Sequence, residues 1–458
     1  MTSFLSLNWN LLTVFYLSVI FIISFLVTFL TIPILIKYMK KKGHVGLDIH
    51  KNSKPEVAES GGISLLIGIS VACSLLMIFF PIFINIILIF VLTVILAGII
   101  GFIDDKVRLR SRYKIALTIF IGSIIFLANM FRFIQISSPM LPFLGQTRLT
   151  IIYPILIPLI VAILANTVNM LEGYNGEGSG TCLIAVCFLF ICGLILFSAE
   201  AIIFTIPVIA VLLAFFIYNK YPAKVFPGDV GTLSIGAMIA CIALFSSLEV
   251  AVFCVLLMHI FNSFYVLSSV RGFFESSEIQ SIKEDIIVLE DDRIAASFQR
   301  DAALTLPRLL LAKGPLTEKE LVENMFAVSI ICGLFSIITS ILIVWSTLGS
   351  FILIISVIIL CLPTFFIMYK YPRIRGIVVS MMILLVSGMI LLVFIDMFII
   401  TLPSVDIYLI IIKVPLNILL SLLLFIPGLF LWYYISVKWF WRLIKNYKII
   451  NKSEINEL

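Results

Sequence analysis

Charge is scarce in this chain: Asp, Glu, Lys and Arg make up 12% of 458 residues, against 62% hydrophobic ones and a mean hydropathy of +1.22. That balance excludes a soluble globular domain and points to a polytopic membrane protein. Histidine is scarcer still, with three at positions 44, 50 and 259, which argues against a histidine-rich metal centre. The eight cysteines (73, 182, 187, 192, 241, 254, 332, 361) lie in or beside apolar runs without CxxC spacing, and imply neither zinc nor disulfides. No basic region precedes the first apolar run, Leu11 to Ile36, which is also too long for a signal-peptide core and ends in "KYMKKK". It reads as a retained first span.

What the chain has in abundance is apolar runs of membrane length. A bilayer core takes roughly 20 apolar residues of helix, because unpaired backbone polar groups are too costly there. The runs are continuous rather than alternating, so the expected fold class is all-α. Windows bounded by charge or Pro/Gly clusters place spans near 11–36, 61–80, 84–103, 115–131, 150–168, 181–198, 201–218, 231–246 and 248–269. Four more follow near 326–346, 349–369, 377–401 and 409–441, the last interrupted by Lys413 and Pro415. About thirteen spans result. Lys and Arg gather in 37–54, 106–114, 220–224, 271–319 and 370–375, and again from Lys438. Thirteen alternating spans put all these segments on one face, which the positive-inside rule makes cytoplasmic, with the N-terminus outside.

Four segments of that face carry the polar residues: "GLDIHKNSKPEVAESGG" (46–62), "GFIDDKVRLRSRYK" (101–114), "NTVNMLEGYNGEGSG" (166–180) and "YNKYPAKVFPGDVGTLSIG" (218–236). Asp104 and Asp105 end the third span, where a charge must be paired, hydrated or metal-bound. Neighbours on a helix point about 100° apart, so one can face a site and the other a basic partner. Equally, the pair can be an acidic helix end neutralised by Lys106, Arg108 and Arg110. Asp229 precedes "VGTLSIG", where it can serve a ligand or simply N-cap a helix. Carboxylates, amides and basic side chains on one face suit a hard cation holding a polyphosphate, so a nucleoside diphosphate is a better guess than a bare ion. Basic loops at headgroup level also suit an anionic lipid.

In this order and on one side of the membrane, "GFIDDKVRLRSRYK", "NTVNMLEGYNG" and "YNKYPAKVFPGDVGTLSIG" resemble the polyprenyl-phosphate N-acetylhexosamine-1-phosphate transferases over roughly residues 12–346. The first loop and Asn175 in "GYNG" look more like the archaeal and eukaryotic branch than the peptidoglycan translocases, which carry aspartate there. The HxH or HxR motif expected after the ninth span is missing, and the long loop 270–325 stands in its place. The resemblance implies a ten-helix core over 1–346, leaving 347–458 as additional C-terminal helices without a functional account.

The implied reaction is attack of dolichyl or another polyprenyl phosphate on the β-phosphate of UDP-GlcNAc, releasing UMP and starting lipid-linked oligosaccharide synthesis. The implied cofactor is Mg²⁺, for which Mn²⁺ can substitute. Carried over by position, Asp229 and Asn169 ligate the metal with Asn166 beside them. Asp104 deprotonates or orients the lipid phosphate, Asp105 lies near the metal or a basic partner, and Lys114 contacts phosphate. Asn175 and Gly173 face nucleotide or sugar; Asp48, Glu59 and Asn219 line the nucleotide pocket. With the histidine motif absent, the donor's phosphates fall to a basic residue of the loop: Arg271, Arg293, Arg308 or Lys313. The expected partners are UDP-GlcNAc, the lipid phosphate, the bilayer and a second copy in a homodimer, with no nucleic acid among them. A different UDP-N-acetylhexosamine donor, or a translocase-like role, is the alternative within the enzyme class. A secondary transporter is the rival from another class. Transporters place acids near the midplane on broken helices, whereas here the acids sit at span ends, Asp396 excepted.

Overall fold

The computed structural model describes residues 10–142, 145–146, 152–270, 284–299, 302–348, 351–400, 406–409, 412–415 and most of 427–445. Helix α1, Leu11–Lys42, starts where the Asn10 side chain accepts from the Thr13 N–H at 2.9 Å, and stops at Gly43, whose φ of 71° is left-handed. The basic last turn of Lys40, Lys41 and Lys42 complements the helix dipole. A small hairpin, β1 (Val45–Leu47) with β2 (Glu56–Ala58), leads to α2 (Gly62–Phe79), α3 (Ile84–Val107) and α4 (Ser111–Met130). A ribbon of β3 (Met140–Leu141) and β4 (Gly145–Gln146) precedes α5 (Ile152–Leu171), α6 (Glu177–Ile195), α7 (Ala199–Asn219) and α8 (Gly228–Ser246). After α9 (Glu249–Val255) and α10 (Leu257–Val270), a three-stranded sheet forms from β5 (Ile286–Val288), β6 (Arg293–Ala296) and β7 (Leu316–Thr317), with the short α11 (Leu306–Leu311) between the last two. Then come α12 (Glu318–Leu348), α13 (Phe351–Lys370), α14 (Arg375–Ile400) and a hairpin of β8 (Asp406–Leu409) and β9 (Ile412–Pro415).

The chain is an all-α polytopic membrane protein. Among the described residues nine helices are long and apolar enough to cross a membrane, or ten if α9 and α10, bent by 68°, are one span. Among the described residues the expected thirteen is not confirmed. The span expected over 248–269 is broken at Leu256, and the start of the one expected over 409–441 is instead the β8–β9 ribbon. Apolar composition without periodicity cannot distinguish a straight helix from a broken one or from a buried strand. The basic segments do converge on one end. Lys51 Nζ lies 4.6 Å from the Tyr221 ring centroid, Asn52 binds residues 289–292, and Lys313 Nζ donates to the Pro372 carbonyl at 2.9 Å.

Helix α8 is the axis of the bundle. Its membrane window is 89% buried, against 22% for the peripheral α1, and α3 and α5 pack along it. Small residues let these helices approach: a Cβ on Gly62 would stand 2.2 Å from the Gly231 Cα, and one on Gly101 2.3 Å from the Asp229 carbonyl oxygen. Buried hydroxyls satisfy themselves locally, Ser234 to the Val230 carbonyl at 2.6 Å and Thr93 to that of Ile89 at 2.7 Å. A second core joins α10, α11 and α12 to Ile374, Val378, Met381, Trp432 and Phe440. Gly62→Ala is expected to lower the unfolding midpoint in detergent, since overpacking against backbone costs about 1–3 kcal/mol or more. Gly388→Ala, where an added Cβ meets nothing within 4 Å, should leave that midpoint unchanged or slightly raised.

Candidate active site

At the convergent end, four helix ends bring their polar residues together. Gly228, with φ of 65°, turns the chain into α8 and puts Asp229 in its first turn. A carboxylate is favourable at that positive end of the helix dipole. The helix's unpaired N–H groups are served from outside: Asp105 Oδ1 accepts the Asp229 N–H at 2.6 Å, while Asp105 Oδ2 takes the Ser60 hydroxyl at 2.8 Å. Asp105, expected near the metal or a basic partner, thus holds the start of α8 beside Asp229. Asp104, on the next face of α3, accepts the Leu109 N–H at 2.7 Å and pairs with Lys114. Lys114 Nζ also reaches Asp229 Oδ2 at 2.9 Å and Asn169 Oδ1 at 3.4 Å. Asn169 Nδ2 donates to Asp229 Oδ1 at 2.6 Å and to Thr232 Oγ1 at 2.7 Å. Neither bland reading of the acids describes them: Lys114 rather than Lys106, Arg108 or Arg110 neutralises Asp104, and Asp229 lies inside the helix, whose N-cap position is Pro227.

A cavity of about 240 Å³ opens above this cluster. Its lining holds the bonded group Asn169, Asp229 and Thr232, the Asp48–Asn175 pair and the His50–Tyr174 stack, together with Gly228, Glu59, Glu172, Gly173 and Phe226. The Asp229 side chain is 31% exposed and that of Asp104 only 4%, so Asp229 is the carboxylate offered to a ligand. Among the described residues, four carboxylates and no lysine or arginine line the cavity.

The far end is a closed polar knot. Asn175 Nδ2 donates to Asp48 Oδ2 at 3.0 Å and to Glu318, its backbone N–H to Glu318 Oε1 at 2.8 Å, and its Oδ1 accepts the Ala223 N–H at 2.8 Å. Lys51 pairs with Asp48 and lies 3.8 Å from Glu318 Oε2. The amide of Asn175, expected to face nucleotide or sugar, is therefore engaged with three protein segments and shapes the wall. His50 stacks on Tyr174 with centroids 4.2 Å apart, and burial pulls its pKa down to about 4 against the opposing pull of Asp48. Burial likewise pushes Glu172 up to about 8.

Other expected site residues lie elsewhere. Asn166 donates to Thr118 Oγ1 at 2.9 Å and to the Ala162 carbonyl at 2.8 Å, tying α5 to α4 away from the cavity. Asn219 is fully buried, accepts from Ser179 at 2.5 Å and donates to the Val225 carbonyl at 2.9 Å, so it braces the turn that follows α7. Arg308 is buried and gives its N–H groups to backbone carbonyls. Arg293 pairs with Asp291 on the β5–β6 turn at 2.5 Å, and Lys313 serves Pro372. Arg271 lies outside the described residues. The reasoning from sequence passed over His50, Glu172, Tyr174, Thr232 and Glu318. His50 had a signal in its spacing from Asp48; Glu318, 143 residues from Asn175, had none.

A buried neutral histidine makes stability pH-dependent. The unfolded chain takes up a proton on His50 near pH 6.5 and the folded one near 4. Its contribution is thus complete above the unfolded value and is lost as pH falls through that window. His50→Gln is expected to flatten this part of the acid limb, read as the difference between the two proteins' detergent unfolding midpoints from pH 7 to 4. An unchanged difference across the window would contradict the assignment.

The sequence model of glycosyl transferase family 4 matches residues 87–247, which hold Asp104, Asp105, Lys114, Asn169 and Asp229. A provisionally named glycosyltransferase of Methanocaldococcus jannaschii is 32% identical over 327 residues, 69% of this chain and 96% of that protein. A Saccharolobus solfataricus protein, provisionally named UDP-N-acetylglucosamine–dolichyl-phosphate N-acetylglucosaminephosphotransferase, is 34% identical over 226 residues, covering 49% and 69% of the two chains. A Streptococcus pneumoniae phospho-N-acetylmuramoyl-pentapeptide-transferase is 27% identical over 266 residues, 55% of this chain and 80% of its own. With nearly the whole of the Methanocaldococcus protein matched, and the polar cluster inside the matched segment, the chain belongs to glycosyl transferase family 4.

Proposed function

We propose that this protein transfers N-acetylglucosamine 1-phosphate from UDP-N-acetylglucosamine to a dolichyl or other polyprenyl phosphate, releasing UMP, at the cytoplasmic end of its bundle. It is a phosphotransferase of the polyprenyl-phosphate sugar-phosphate transferase class, as its family and relatives indicate. The observation that carries the finer reading is the cavity with Asp229 and Asn169 in its lining and Lys114 bonded to both from behind that lining, set where the apolar helices stop. A lipid phosphate can arrive there from the membrane side while a water-soluble donor occupies the hollow. The relatives named for UDP-N-acetylglucosamine and dolichyl phosphate support this donor and acceptor.

An oxygen of the lipid phosphate forms a new bond to the donor's β-phosphorus. The bond from that phosphorus to the bridging oxygen breaks, and UMP leaves with the oxygen. The nucleophile is already an anion, so the protein's task is to bring two anions together and hold them in line. Lys114 supplies the fixed positive charge, and Asp104, buried beneath it, keeps the ammonium charged and aimed. A diphosphate entering a cavity lined, among the described residues, by four carboxylates and no lysine or arginine calls for a counter-cation. The hard oxygens of Asp229, Asn169 and Thr232 suit Mg²⁺, and Asp229 and Asn169 would hold it. Bound there, Mg²⁺ would neutralise phosphate charge in the ground and transition states.

Purified protein given β-³²P-labelled UDP-N-acetylglucosamine and dolichyl phosphate should form labelled lipid and UMP only with Mg²⁺, and tunicamycin should stop it. Asp229→Asn should remain folded and lose at least about a hundredfold in rate, the scale for removing one preorganised charge-stabilising group. Near-normal turnover by folded Asp229→Asn would overturn the metal assignment. Product from UDP-N-acetylmuramoyl-pentapeptide alone would move the donor to that of the streptococcal relatives, and no product from any UDP-N-acetylhexosamine would overturn the reaction.

A further inference from the structure

Arg308 is among the largest fully buried side chains, and it gathers one strap of chain. Its Nη1 donates to the carbonyls of Ala302 and Ala303 at 2.8 and 3.0 Å, and its Nη2 to those of Ser297 and Gln299 at 2.9 and 2.5 Å. Its Nε has no hydrogen-bond partner. What covers the guanidinium comes from the end of the chain: residues 437–443 are helical, and the rings of Phe440 and Trp441 lie 5.3 and 5.6 Å from Cζ. Aromatic faces attract a desolvated cation. Phe440 is itself fully buried. The C-terminal segment therefore covers a loop cation inside the core that loop and tail share, well outside the matched residues 87–247.

The strap leads to the cavity. Ser297 follows β6 and donates its N–H to the Asp285 carbonyl at 3.0 Å, closing the β5–β6 hairpin. The turn of that hairpin holds the first loop: Asn52 Nδ2 donates to the carbonyls of Leu289 and Glu290 at 2.8 and 3.2 Å, and Asn52 N–H to Asp292 Oδ1 at 2.8 Å. Asn52 stands two residues from His50 and four from Asp48, both in the cavity wall. On its other edge the sheet ends in β7, and the next residue is Glu318, which binds Asn175. The sheet thus grips the wall at two points far apart in sequence.

We propose that the C-terminal segment is a clamp on the donor cavity. Phe440 and Trp441 fix Arg308, Arg308 fixes the strap, and the strap sets the sheet that holds the wall at Asn52 and Glu318. These are positioning residues, since none touches the cavity. The clamp rests on the donor reading above, with UDP-N-acetylglucosamine in this cavity, and deepens it by assigning donor affinity in part to Phe440 and Trp441, which lie outside the ten-helix core over 1–346.

The test uses the full chain and the variants Phe440→Ala/Trp441→Ala, Asn52→Ala and their combination. Donor KM should rise at least about fivefold, the low end of ordinary coupling between sites, with kcat held within about twofold. The affinity for UDP, measured by calorimetry without lipid acceptor, should fall in step. Because both ends act through one sheet, the combined variant should be little worse than either alone. Unchanged donor KM, a fall in kcat alone, or effects that multiply would each overturn the clamp. Should the double variant not fold, Trp441→Leu, which keeps the bulk and removes the π face, carries the same expectation. Limited proteolysis of residues 297–303 needs no donor: faster cleavage in the tail variants supports the clamp, and equal rates overturn it even if the transfer reaction proves to be another.

Discussion

Lys114 between Asp104 and Asp229 is the interaction on which the rest of the site depends. Two carboxylates brought together at the edge of an apolar bundle repel each other and lose hydration, a cost of several kcal/mol per buried ion unless a partner offsets it. One ammonium placed between them offsets both at once. It does so only if α3, α4 and α8 end at the same depth and in one orientation. Small residues make that registration possible, with Gly62 against Gly231 and Gly101 against the Asp229 backbone. Asp105 completes it by accepting the N–H of Asp229, so that the α3 acid pair splits its duties, one carboxylate fixing the lysine and the other the helix.

The cavity inherits its polarity from this arrangement. One end is the cluster of Asp229, Asn169 and Thr232, and the other is a buried knot in which Asn175 bonds Asp48 and Glu318. Asn175 satisfies Asp48, Glu318 and Ala223 together, which makes that wall stiff without leaving its amide to a ligand. A stiff wall with an aromatic stack of His50 on Tyr174 beside it suits a flat, uncharged group, whereas the other end suits phosphate.

Outside the bundle, the chain uses short sheets as struts. A ribbon of two or three strands has little core of its own and is marginal in isolation. Here β5 to β7 lean on α11 and α12, and the tail residues Trp432 and Phe440 enter the same core. Trp432 and Phe440 of the C-terminal segment thereby share one core with the helices next to that sheet.

Much was legible before any coordinates. Composition determined an all-α membrane protein, because a backbone in lipid must satisfy itself within each span. Clustered Lys and Arg showed which segments meet. Asp104, Lys114, Asn169 and Asp229 stood out as polar residues at the ends of apolar runs, where burial has to be repaid by function or pairing. Direction was not legible: Asn166, Asn219 and Arg308 are as polar as the residues lining the cavity, and only the fold shows their groups bonded to neighbouring backbone or hydroxyls. Glu318 and Phe440 carried no local signal, since each acts on a partner more than a hundred residues away. The bend at Leu256 and the β8–β9 hairpin were hidden for the same reason that made the spans obvious: an unbroken apolar run states that a segment leaves water, and leaves its shape to the neighbours it packs against.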